Sequence, residues 1–165
     1  MLKGQELERL VSAACRNLQS KDKIKRHYLF KRDFRNKNND PFSDSIIISN
    51  DGRTILIECK QVKKGEKLSV GSIYHSPDQM TLNRLMRNSF SLHIYLLGFI
   101  DLSKFFIIEN IDDLKHKKKS YVSVQELIDQ KFQYSTNIED LLMTYLEKLN
   151  NNQTTLKQSE MGTLV

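Results

Sequence analysis

The stretch SDSIIISNDGRTILIECKQ, Ser43 to Gln61, decides the fold. Two β-branched runs flank Asn50-Asp51-Gly52, and such a tip between apolar runs is a strong hairpin signal. Strands are expected at about Ser45–Ser49 and Thr54–Lys60. If the three tip residues form the loop, pairing is symmetric about Asp51 and Asp44 stands opposite Glu58. Directly opposed residues bring their Cβ atoms to roughly 4.5–5.5 Å, where like charges repel unless a cation lies between them. Hard oxygen ligands suit magnesium, with manganese as a substitute. Side chains alternate along a strand, so Lys60 shares the face of Glu58, while Cys59 points away and offers only its backbone carbonyl. Asp44, Glu58 and that carbonyl are the candidate metal ligands. The ordinary alternative is a surface hairpin. Against it, Glu58 and Lys60 directly continue the apolar run Ile55-Leu56-Ile57, where unpaired charge is costly.

Working outward, Leu7, Leu10, Val11, Ala14 and Leu18 recur at helical spacing and predict an amphipathic helix over about Gln5–Leu18, with Glu8 beside its apolar stripe. A short strand is expected around Tyr28–Lys31. Ser76, Pro77 and Gln79 read as N-cap, proline at the first helical position and capping-box glutamine of a helix running to about Asn88. LHIYLLGF and KFFIIE are apolar enough for buried strands. Ser123 with Glu126 and Thr136 with Glu139 are two further capping boxes, and Ile138, Leu141, Leu142, Tyr145, Leu146 and Leu149 form an apolar helical stripe. The expectation is an α/β fold: one domain over residues 1–149, a mixed central sheet of about five strands flanked by helices, and a polar, flexible tail from 150 to 165.

Of the 165 residues, 26 are Lys or Arg and 20 Asp or Glu, a formal net charge of +6, which favours polyanionic partners. Lys21, Lys23, Lys25, Arg26, Lys31, Arg32, Arg35 and Lys37 are interleaved with His27, Tyr28, Phe30 and Phe34, a candidate DNA phosphate-contacting stretch; a solvated lysine-rich surface is the competing reading. The two cysteines, Cys15 and Cys59, lack any paired Cys/His spacing, which argues against a zinc site or a disulfide scaffold. No apolar run approaches the roughly 20 residues that span a bilayer, and the charged start does not resemble a signal peptide. A cytoplasmic protein with no membrane association is expected. His27, His75, His93 and His116 have no ligand spacing among themselves.

A cation, a carboxylate pair and an ammonium suit phosphodiester hydrolysis, where water must lose a proton and charge growing on phosphate must be neutralised. With Glu8 on a first helix, Asp44 before a strand and Glu58-Cys59-Lys60 ending the next, the layout resembles the PD-(D/E)XK nuclease superfamily, and within it the Holliday-junction resolvases of the RecU and archaeal Hjc types. KGQELER at Lys3–Arg9 is similar to the opening of those families, whose catalytic helix glutamate falls on Glu8. DQMTLNRL at Asp78–Leu85 resembles the RecU segment whose active-site glutamine falls on Gln79. SKFFIIENIDDL and KKSYVSVQELID look like the RecU C-terminal half, so the likeness covers roughly Lys3–Ile128. Ser43, Cys59 and Asp78 depart from the usual residues without removing a ligand, and the segment before Asp44 is too short for the RecU stalk.

The resemblance implies a restriction-endonuclease-like fold, catalytic Glu8, Asp44, Glu58, Lys60 and Gln79, magnesium-dependent cleavage of four-way DNA junctions, and a homodimer, since cutting both strands needs two centres related by a two-fold. Three alternatives stay open: a restriction-type or repair nuclease acting on ordinary duplex, a silent nucleic-acid-binding module, and a structural component of a replication complex.

Overall fold

The computed structural model describes residues 5–30, 43–88 and 90–162. In chain order the elements are α1 (Gln5–Ser20), β1 (Arg26–Leu29), β2 (Ser45–Ile48), β3 (Thr54–Val62), β4 (Lys67–Ser69), α2 (Val70–Ile73), α3 (Pro77–Leu85), β5 (Ser91–Phe99), β6 (Lys104–Ile108), β7 (Tyr121–Ser123), α4 (Val124–Asp129), β8 (Gln133–Ser135) and α5 (Ile138–Gly162).

The hairpin closes through Asn50-Asp51-Gly52. Ser49 N–H donates to the Arg53 carbonyl at 2.9 Å and Gly52 N–H to the Ser49 carbonyl at 3.0 Å. Gly52 takes φ +88°, the left-handed conformation that a three-residue hairpin loop asks of its last residue and that glycine adopts without penalty. The turn fixes the register: Ser45 faces Ile57, Ile46 Leu56, Ile47 Ile55 and Ile48 Thr54, symmetric about Asp51 as expected.

The main sheet has six strands in the order β1-β2-β3-β5-β6-β8. Only β3 and β5 pair in parallel, Thr54 facing Ser91 through Val62 facing Phe99; every other pair is antiparallel. The sheet is therefore mixed, with β3 and β5 inside it. Strand β5 is buried along nearly its whole length, as its unbroken apolar run requires. The sixth strand, β8, is three residues long and too short to leave a periodic signal. A second sheet pairs β4 with β7.

Two cores cover the two faces. On one, Leu7, Val11 and Leu18 of α1 and Leu141, Leu142 and Tyr145 of α5 pack on Ile55, Ile57 and Leu96. The α5 stripe thus packs on its own sheet. On the other, Leu68 and Val122 of the small sheet and Leu127 of α4 pack on Tyr95, Leu97 and Phe106. Alternation along β3 sends Ile55 and Ile57 to the first core and Glu58 and Lys60 to the second face.

Several boundaries differ from expectation. Strand β1 sits two residues early, and α3 ends at Leu85, where Met86 caps it. The Ser123–Glu126 capping box is present, both bonds made. The Thr136–Glu139 box is not: Asn137 caps α5 by accepting from Asp140 N–H at 3.1 Å, and Glu139 turns to α1, meeting Lys21 Nζ at 2.5 Å and Asn17 Nδ2 at 3.3 Å. The polar segment expected to leave the helix at Asn150 continues it to Gly162.

Helix α1 approaches the sheet closely at Gly98. A Cβ there would come within 2.7 Å of a Leu7 methyl, and Leu7 is fully buried. Gly98→Ala should therefore overpack this contact and destabilise the protein by about 1–3 kcal/mol. Urea denaturation reads this as a lowered midpoint; an unchanged midpoint would show that α1 tolerates the shift.

Candidate active site

The register of the hairpin carries one residue past the paired segment. Asp44 N–H donates to the Ile57 carbonyl at 2.9 Å, which seats Asp44 beside Glu58 at the end of the β2–β3 ladder. Both carboxylates are nearly inaccessible, Asp44 at 5% and Glu58 at 2% exposure. Asp44 Oδ2 accepts the Cys59 N–H at 2.7 Å, so the aspartate braces the strand that carries its partner. Two residues on, Lys60 Nζ meets Glu58 Oε1 at 2.8 Å, and it also donates to Gln79 Oε1 at 3.4 Å.

Gln79 reaches the site from α3. Ser76 caps that helix by accepting the Gln79 N–H at 3.4 Å, and Pro77 begins it, as the sequence indicates. The Gln79 amide oxygen accepts from Lys60 Nζ, so this residue, read both as a capping-box glutamine and by resemblance as an active-site one, stands against Lys60. Helix α3 is held by Asn83, which is fully buried. Its Nδ2 donates to the His93 carbonyl at 2.8 Å and the Glu109 carbonyl at 3.0 Å, and its Oδ1 accepts from Ile111 N–H at 2.8 Å. Sequence reading missed Asn83, because nothing in a lone helical asparagine signals that its amide will join β5 to the turn after β6.

The electrostatics are those of a crowded acidic centre. Burial, then the neighbouring Asp44, raises the Glu58 carboxyl to about 7, although the Lys60 ammonium and hydrogen bonding from Lys60 and Gln79 pull it down. Glu58 Oε2 is buried and has no hydrogen-bond partner among the described residues. Burial, followed by the charges of Asp44, Glu58 and Glu8, raises the Cys59 thiol well above its ordinary value. Tyr95, which faces Glu58 across the β3–β5 pair, is a second residue the sequence reading missed. Its buried hydroxyl is raised first by burial and then by Glu58.

Glu8 arrives from α1. Leu7 N–H donates to Gln61 Oε1 at 2.8 Å, which ties the start of the helix to β3, and Glu8 is close enough for its charge to act on Cys59. Among the described residues, no three His, Cys, Asp or Glu side chains stand together as a preformed cation cage, so Glu8 does not join Asp44 and Glu58 in one cluster. The two opposed carboxylates with one orphaned buried oxygen do fit a hard divalent cation, since an oxygen donor lacking a partner in a buried site is what such an ion satisfies.

The described part of the basic stretch runs from the hairpin tip toward this centre, where Phe30 N–H donates to the Asp44 carbonyl at 3.0 Å. Arg26 faces Ile48, and Asn50 Nδ2 donates to the Asp22 carbonyl at 2.8 Å, so Lys21, Lys23, Lys25 and Arg26 gather at the hairpin tip. From Thr54, beside the tip, to Glu58 is about 13 Å along the strand. Lys31, Arg32, Arg35 and Lys37 lie outside the described residues.

Comparison with known proteins adds little. No family model matches the chain, and no curated protein matches it. Among solved structures it is similar to Hjc of Archaeoglobus fulgidus, a Holliday junction resolvase from an archaeal hyperthermophile, at 15% identity over 72% of this chain and 88% of that one, with a TM-score of 0.47. So distant a likeness carries no functional weight. No helix among the described residues is long and apolar enough to cross a membrane.

The raised Glu58 carboxyl makes a signed prediction. Between about 4.5 and 7 the folded state holds a proton that the unfolded chain has released, so this group's contribution to stability falls as pH rises through that window. In EDTA, the melting temperature of Glu58→Gln relative to wild type should therefore increase by several degrees from about pH 5 to about pH 8. A difference independent of pH would show that Glu58 is not held under this strain.

Proposed function

We propose that the chain is a divalent-metal-dependent endodeoxyribonuclease, most active on four-way DNA junctions. The single observation behind the chemistry is the buried pair Asp44–Glu58 with Lys60 and Gln79 converging on it. A cation held by Asp44, Glu58 and the Cys59 carbonyl would supply Lewis acidity toward a phosphoryl oxygen and lower the pKa of a bound water. Junction preference rests on the resemblance of KGQELER and DQMTLNRL to the resolvases.

The chain's own residues do the rest. Asp44 fixes β3 through the Cys59 N–H, which holds Glu58 and Lys60 in place. Glu58 Oε1 and Gln79 Oε1 hold the Lys60 ammonium, and a fixed ammonium can orient an attacking water or stabilise charge developing on phosphate without reorganising. Gln79 acts on Lys60 from a helix anchored at Asn83, so it is a positioning residue. Glu8, from α1, adds a third acidic group within electrostatic reach of Cys59 and serves to orient water.

A two-fold homodimer is part of this reading, because paired nicks in a junction need two centres. Among the described residues, edge strand β1 and the residue after it leave Tyr28, Leu29 and Phe30 exposed. The second reading, cleavage of ordinary duplex, is favoured by the absence of room for a RecU-type stalk before Asp44.

The test is cleavage of labelled four-way junction and matched linear duplex in magnesium, with calcium as control. Wild type should nick the junction in symmetric pairs and spare the duplex. Glu58→Ala and Lys60→Ala should lose at least about a hundredfold in rate while still binding, and Gln79→Ala about tenfold. Equal cutting of duplex would remove the junction preference; no cutting in magnesium or manganese would remove the nuclease reading.

A further inference from the structure

Lysines concentrate a second time, on the other side of the site from the hairpin tip. Strand β3 runs from Glu58 through Lys60 to Val62, and Lys63 and Lys64, both exposed, follow directly after its end. The chain then enters the small sheet. Leu68 and Val122 point inward to the core that backs the face of Glu58 and Lys60, so alternation turns Lys67 and Tyr121 outward. Tyr121 is 55% exposed, a large aromatic ring beside lysines. Lys118 and Lys67 line an open cleft of about 720 Å³ together with Tyr121. The acidic groups here are Glu66, also in the cleft, Asp101, which accepts the Gly65 N–H at 3.1 Å, and Glu126, which is engaged by Lys119 at 2.5 Å and by the Ser123 N–H. Lysine outnumbers them.

The patch also holds two adjacent lysines in a left-handed backbone, a conformation that Lys131 takes singly elsewhere. Lys117 and Lys118 both have positive φ, +44° and +59°. Side chains other than Gly, Asn and Asp are disfavoured there, at a cost on the order of 1 kcal/mol each. Glycine or asparagine would fit the turn better, and lysine occupies both positions.

We propose that Lys63, Lys64, Lys67, Lys117 and Lys118, with Tyr121, form a phosphate-binding ridge that holds the DNA arm leading away from the scissile phosphate at Lys60. The occupant is the sugar–phosphate backbone of duplex DNA, recognised by charge and independent of base sequence. This assignment rests on the nuclease reading for its substrate. It moves the main backbone contacts away from Lys23, Lys25 and Arg26.

The experiment measures binding of labelled duplex and four-way junction in calcium, as a function of salt, for three variants of the full chain. Lys63→Ala/Lys64→Ala/Lys67→Ala and Lys117→Asn/Lys118→Asn should each weaken binding at least tenfold at about 100 mM salt and flatten the salt slope by about 0.9 for each phosphate no longer neutralised. Lys23→Ala/Lys25→Ala/Arg26→Ala should change both much less. The asparagine pair carries an internal control: relief of left-handed strain should leave its melting temperature equal to or above that of wild type while its DNA binding falls, which misfolding would not produce. Wild-type affinity and slope in both ridge variants would overturn the ridge, as would the hairpin-tip variant being the weakest binder. Cleavage by wild type is scored in parallel in magnesium. Ridge variants that lose binding in a wild type that never cuts would support the ridge and overturn the nuclease reading; a wild type that cuts while ridge variants bind normally would do the reverse.

Discussion

The structure turns on a hairpin register that sets two carboxylates side by side at the buried end of a strand pair. Asn50-Asp51-Gly52 permits one loop geometry, Gly52 supplies the positive φ, and symmetry about Asp51 follows. A slip of one residue would send Glu58 and Lys60 into the core against α1 and α5 and turn Ile55 and Ile57 to the other face. The hydrophobic pattern of β3 therefore secures the site: isoleucines fix which face is core, and the charged residues are committed to the other.

Around that pair the fold supplies restraint. Asp44 gives one oxygen to the Cys59 N–H, Lys60 is held by Glu58 and Gln79, and Gln79 is held by a helix whose asparagine bonds a β5 carbonyl and the Glu109 carbonyl just after β6. What remains unsatisfied is one Glu58 oxygen in a place where water is scarce. Two carboxylates side by side in low dielectric repel and are costly to keep buried unless a cation lies between them.

Much of this was legible in the sequence, for physical reasons. The hairpin, its register, the buried β5 and the convergence of Asp44, Glu58 and Lys60 follow from local turn chemistry and a period of two. The site role of Gln79 came through family resemblance, because local chemistry alone pointed to a capping box. Asn83 and Tyr95 were not legible, since their places are set by contacts between elements far apart in the chain. The strand β8 and the small β4–β7 sheet are three-residue segments whose pairing is fixed by packing, not by propensity. The basic stretch from Lys21 was legible as charge but not as position: pairing with β2 puts Lys25 and Arg26 near the hairpin tip and brings Phe30 to Asp44.

The most direct measurement of the central claim is a manganese titration of the isolated protein, read by calorimetry, comparing wild type with Asp44→Asn and Glu58→Gln. The account predicts a binding event in wild type that either substitution abolishes, since the proposal makes each carboxylate a ligand. Binding that survives both substitutions, or none in wild type, would contradict it.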